Sequence, residues 1–222
     1  VTEFGDNHRE LLLLLSEQLK QPLVAIAHLS ELEQGVSSAE IHAYARQALA
    51  TIDAISLYQH IASGQQALTL EPVHVGSAIH EVAHSMGALH HVSGSSIEVD
   101  IQHGLLPVTT DRRVFVAALQ SLWQAMLGSL SRPDKIVCFA HKTPTGVRLA
   151  LRSASAGIQS LELSQINSQS SQPITGIAGP SADLLTSRAM FSLLNASITK
   201  STSKVMTGLG VTLEPSHQLS II

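Results

Sequence analysis

The 222-residue chain contains one cysteine, Cys138, so it can build neither a disulfide framework nor a cysteine metal site. That usage suits a reducing, cytoplasmic compartment. There is no run of basic residues and no basic patch interleaved with aromatics, and the formal net charge is -4. A nucleic-acid backbone is therefore not an expected partner. Long apolar runs are also missing. The five leucines at 11–15 fall far short of a membrane span, and the opening residues lack the basic start and apolar core of a secretory signal. Direct membrane insertion is not expected of this segment, although its abrupt start suits the cytoplasmic part of a longer sensor. Neither a Ser/His/Asp arrangement nor an internal repeat can be argued. What the chain does have is apolar residues, 44% against 14% charged, which describes a foldable sequence with a sizeable interface between subunits or domains.

Residues 11–32 organise the rest. Leu12, Leu15, Leu19, Ile26 and Leu29 recur at helical spacing and predict a bundle helix over about 7–34, kinked by Pro22 and stopped by Gly35. Ser37 and Glu40 then form a capping box. It opens a second helix to about residue 63, with Ile41, Ala45, Ala48, Ile52 and Ile55 as its seam. A short loop makes the two helices antiparallel neighbours, and their uncovered apolar surface predicts that two copies pair as a four-helix bundle.

The remainder alternates. A strand at 68–73 precedes a helix at 76–91, a strand at 97–101 and a helix at 111–130 capped by Asp111. A hairpin joins 136–141 to 147–152 around residues 143–146. A polar loop at 157–180, a helix at 181–195 and strands at 197–200 and 210–214, with Gly208-Leu209-Gly210 between them, complete the chain. Cys138 and Trp123 read as core residues.

Ser16-Glu17-Gln18-Leu19-Lys20-Gln21-Pro22-Leu23 resembles the phosphoacceptor box of sensor histidine kinases, usually Ser-His-Glu-Leu-Arg-Thr-Pro-Leu. In that frame the phosphorylated histidine falls on Glu17 and its acidic helper on Gln18. A carboxylate cannot act as the imidazole nucleophile. The second segment resembles the family's ATPase domain, most clearly across Leu70-Glu71-Pro72-Val73, the helix after it, and residues 97–101 and 107–130. The resemblance implies an α+β protein. Residues 1–66 would form the dimerising helical hairpin, and residues 67–222 a histidine-kinase-type ATPase α/β sandwich.

The resemblance also locates an altered nucleotide site. The family's magnesium-holding asparagines fall on Gln120 and Gln124, where the longer side chain displaces the oxygen. Its adenine-reading aspartate falls on Ser153, which brings no charge and a shorter reach. Of that glycine box only Gly157 survives, and the second box is replaced around Gly176-Ile177-Ala178-Gly179-Pro180-Ser181. The expectation is a pseudokinase with no cofactor, binding ATP and Mg²⁺ only if the altered pocket still accepts them. It would act as a dimeric scaffold or regulator of a response-regulator-like or other signalling protein. The alternative is an active kinase or phosphotransferase with altered motifs. His28, eleven residues beyond Glu17, is a candidate acceptor for a relay without ATP.

A second alternative comes from His80-Glu81-Val82-Ala83-His84-Ser85-Met86-Gly87-Ala88-Leu89-His90, which resembles the zinc signature of metzincin proteases. The resemblance implies His80, His84 and His90 as zinc ligands and Glu81 as the base acting on zinc-bound water. Against it, the upstream residues lack the sheet of that family. A continuous helix would also keep His90 away from the other two histidines.

Overall fold

The computed structural model describes residues 23, 24, 26, 38–159 and 180–216. The first expected helix lies outside them apart from Leu23, Val24 and Ile26, which are helical, with Leu23 and Val24 exposed. Helix α1, Ser38–Ala62, ends where Gly64 takes a φ of 74°, a left-handed conformation that suits glycine. Its inward stripe differs from the expected seam. Ala48 and Ile55 are buried as expected, but Ala43, Thr51 and Ala54 join them while Ile52 is 37% exposed. The small residues let α1 approach the following helices closely. Tyr44, Leu57, Tyr58 and Ile61 of α1 pack on the same hydrophobic core.

Strands β1 (Glu71–Val73) and β3 (Val108–Thr110) form a two-stranded antiparallel ribbon. Between them lie helix α2 (Val75–Val92) and strand β2 (Ser96–Ile101). Helix α3 (Arg112–Gly128) starts at its expected cap, with Asp111 accepting from the backbone N–H of Arg113 at 3.0 Å and of Val114 at 3.4 Å. Strands β4 (Lys135–Thr143) and β5 (Gly146–Ser153) are the expected hairpin. The one-turn helix α4 (Ala156–Gln159), helix α5 (Pro180–Leu193), β6 (Thr199–Thr202) and β7 (Thr207–Leu213) follow.

Five strands make the main sheet in the order β2-β4-β5-β7-β6. Only β2 and β4 are parallel, because the chain between them crosses over through β3 and α3. Alternation puts Ile136, Cys138, Leu149, Leu151, Leu209 and Val211 on the face packed against the helices. There they meet Ile79, Met86, Phe115, Leu122, Trp123 and Phe191, giving the expected α/β sandwich. Among the described residues no helix is long and apolar enough to cross a membrane.

Gly208-Leu209-Gly210, expected between strands, lies inside β7. A Cβ on Gly208 would stand 1.8 Å from the Leu151 carbonyl oxygen, so these glycines admit a close approach of β7 to β5 and do not break the strand. Exposed Gly87, inside α2, would have nothing within 4 Å of an added Cβ. Gly87→Ala should therefore stabilise the protein by about 0.5–1 kcal/mol. Gly208→Ala should destabilise it by on the order of 3 kcal/mol through steric strain. Urea unfolding midpoints of the two variants, moving in opposite directions from the parent, check both.

Candidate functional site

Helix α3 carries Gln120 and Gln124 one turn apart, in different surroundings. Gln120 is half-buried and opens on a cleft of about 320 Å³ between α1 and α3, lined also by Asp53, Leu57, Glu81, Arg112 and Arg113. Gln124 is 5% exposed, and its Nε2 has no hydrogen-bond partner. The cleft's cations are already engaged: Arg112 with Glu81, and Arg113 with Asp111 at 2.7 Å. Burial opposes ionisation of Asp111, but the bonds from Arg113, Thr69 and Val114 outweigh it and hold the carboxyl below its usual range.

Ser153 ends β5 and is fully buried, at 0% exposure. Its Oγ donates to Asp134 Oδ2 at 3.2 Å and accepts from the Ser155 N–H at 3.2 Å. Ser155 in turn accepts from the Ser131 N–H at 3.2 Å, and the two hydroxyls meet at 3.1 Å. A Cβ on Gly157 would stand 2.1 Å from the Ser129 carbonyl oxygen. The turn after β5 is thus knit to the loop after α3. An adenine amino group needs an exposed acceptor. Ser153 Oγ is closed off from solvent and already accepts from the Ser155 N–H, so the residue at the position that the resemblance assigns does not fit an adenine. Sequence reasoning located Ser153 but missed Asp134, Ser131 and Ser155. The recurrence of serine on both sides of the hairpin was the only signal for that network.

The zinc reading fails on helix geometry. His80 and His84 are exposed on α2, whereas His90 is 3% exposed and, at 3.6 residues per turn, lies roughly 120° around the helix from His84. Trp123 Nε1 donates to His90 Nε2 at 2.8 Å, with the rings edge to face at 6.2 Å. The His90 Nε2 is thus already occupied, and Glu81 is paired with Arg112. Among the described residues, no group of three or more His, Cys, Asp or Glu side chains is gathered to hold a metal ion. Cys138 is buried, and burial pushes its thiol well above the ordinary range. Glu17, Gln18, His28 and Gly176 to Gly179 of the second glycine box lie outside the described residues.

The sequence matches no family model and no curated protein. Solved structures do match. Histidine kinase AdeS of Acinetobacter baumannii is 13% identical with a TM-score of 0.57, over 90% of this chain and 98% of that one. A bacterial phosphotransferase is 13% identical with a TM-score of 0.54, over 95% of this chain and 97% of that one. The catalytic domain of histidine kinase ThkA is 16% identical with a TM-score of 0.53, over 68% of this chain and 97% of that one. At these identities the likeness shows the fold: the chain has the fold of the histidine-kinase catalytic domain.

Burial lowers the His90 pKa from 6.5 to about 4, so the ring is neutral in the folded protein across the neutral range, with its proton on Nδ1. Below pH 6.5 the unfolded chain binds a proton that the folded one refuses. This contribution to stability is present above pH 6.5 and is lost as the pH falls toward 4, by roughly 3 kcal/mol in all. Unfolding free energies measured between pH 4 and 7 should show this slope in the parent. In His90→Leu, whose baseline is lower, the slope should be flatter.

Proposed function

We propose that the chain is a histidine-kinase-like two-component signalling protein whose ATPase-like domain no longer handles nucleotide. It acts as a homodimeric scaffold or regulator through contact with a response-regulator-like protein. The observation that carries this reading is the state of Ser153. A position that reads adenine in the resembled family is here buried, uncharged and tied to Asp134 and Ser155. Gln120 and Gln124 in place of asparagines weaken the magnesium site in the same direction. At the phosphoacceptor place Glu17 supplies a carboxylate, which repels or imitates a phosphorylated side chain on the helix face where a partner docks.

Two units serve this role, residues 1–66 for dimerisation and residues 67–222 as the ATPase-like body. Leu23, Val24, Leu49 and Ile52, all exposed, are the apolar surface that pairing in a four-helix bundle would cover. The cytoplasm is the compartment in which such a protein meets its partner. A second reading, a phosphotransferase that receives its phosphoryl group from another protein, is favoured by the likeness to a bacterial phosphotransferase over 95% of this chain. His28 is then the acceptor.

Titration of the purified protein with ATP in magnesium buffer should give no binding heat up to millimolar nucleotide. Micromolar, magnesium-dependent binding overturns the proposal. Ser153→Asp should not restore nucleotide binding. It sets a second carboxylate beside Asp134 in a fully buried position and should lower stability by on the order of 3 kcal/mol, read from the urea midpoint. Label passing from a phosphorylated receiver domain to the parent but not to His28→Ala would establish the second reading over the first.

A further inference from the structure

The main sheet has a second face, turned away from the main hydrophobic cluster. On β4 and β5 it includes Val137, Phe139 and His141, paired in register with Arg152, Ala150 and Arg148, and none of the six belongs to the main hydrophobic cluster. Val137 and Ala150 are nevertheless 2% and 0% exposed. Their cover includes the larger side chains of the same face, with the Arg152 guanidinium carbon 4.9 Å from the centre of the Phe139 ring. Arg152 reaches across the Gly208 row, where Nε donates to Ser201 Oγ at 2.9 Å. Arg148 reaches the same way, donating to Thr199 Oγ1 at 3.2 Å and, more weakly, to Thr212 Oγ1 and the Lys200 carbonyl at 3.5 Å. Without side chains, Gly208 and Gly210 leave the row open for them.

Among the described residues, hydroxyls and a carbonyl hold these arginines and carboxylates do not. Among the described residues the ion pairs are Arg112–Glu81, Arg113–Asp111 and Lys135–Glu98, and neither Arg148 nor Arg152 is in one. Glu98 and Asp100 share this face but stand on β2, two strands and about 10 Å from β5. Burial, and after it the charge of Arg148, holds the Arg152 guanidinium below its ordinary value, so the two cations feel each other without a counter-ion. No hydrogen bond engages the terminal nitrogens of Arg152 among the described residues. In a chain of net charge -4 this is a positive spot at the middle of the sheet, with no counter-ion among the described residues.

We propose that this face is a docking surface for an acidic segment of a partner protein, with Arg148 and Arg152 each taking a carboxylate. The shape favours a protein over a small oxyanion. The two arginines rise from points roughly 13 Å apart on a flat strand, which suits two separate carboxylates on an extended partner. Arginine beside a half-buried aromatic, with rotamers already fixed, is also the composition of an interface centre, where little side-chain freedom remains to be lost. This proposal does not rest on the nucleotide reading.

The test uses the full chain and a synthetic extended peptide of alternating glutamate and serine, with a lysine–serine peptide as control. Calorimetry gives affinity and hydrogen exchange gives location. The acidic peptide should bind saturably, protect amides of β5, β6 and β7, and lose at least tenfold in affinity to the Arg148→Gln/Arg152→Gln variant. The lysine peptide should not bind. Protection mapped on the parent keeps the test decisive if that variant fails to fold. The proposal is overturned by absence of binding, by protection elsewhere, or by equal affinity in a folded variant. It is also overturned if inorganic phosphate gives the same protection at the same affinity, which would mark a small-anion site. Self-association that the double variant abolishes, with no peptide binding, would assign the face to a second copy and likewise overturn it.

Discussion

A single buried carboxylate fixes the frame of this molecule. Asp111 is 1% exposed and receives the N–H groups of Arg113 and Val114, the Thr69 N–H at 2.8 Å and the Arg113 guanidinium. A charge so desolvated is tolerated only because every one of those donors is in place. The start of α3 and the lead into β1 are therefore set together. From that start α3 brings Phe115, Leu119 and Leu122 onto the sheet, turns Gln120 toward α1, and presents Trp123 to His90 of α2. One side chain thus joins the start of α3 to the segment that leads into the ribbon.

Much of this was legible in the residues. The Asp111 cap, the alternation in β2, the hairpin of β4 and β5 and the apolar spacing of α2 and α3 all follow from local rules, and the structure agrees with them. The failures share a cause: each depends on what lies across space. Spacing in α1 identifies an apolar helix but cannot say which of its faces meets the sandwich, so Ile52 was placed inside and Ala54 was not. Gly208 and Gly210 look like chain breakers until the backbone of β5 is put beside them. The histidine signature on α2 is a match of letters, and a continuous helix rotates its third ligand away to Trp123.

The same limit governs the candidate site. The place of Ser153 could be found by counting along the chain, and so could its lack of charge. Its partners could not, because Asp134 lies nineteen residues away and the Ser131–Ser155 contact spans twenty-four. What the structure adds is that Ser153 has partners of its own, Asp134 and the Ser155 N–H. Ser131, Ser155, Asp134 and the close approach of Gly157 to Ser129 tie the end of the hairpin to the loop after α3, which gives it a structural role. On the sheet's other face two arginines are held by hydroxyls and, among the described residues, have no opposite charge.

Cys138 pairs with Val99 on one side and Leu151 on the other, on a strand flanked by neighbours on both edges. Its sulfur reacts only as thiolate, and burial suppresses that form. Reaction with a disulfide reagent therefore has to wait for the strands around it to part. If reclosing is faster than capture, the labelling rate counts the equilibrium population of the opened sheet; at high reagent it becomes the opening rate itself. The chain thus carries its own clock for breathing of its central strands, read at one atom and requiring no engineered probe.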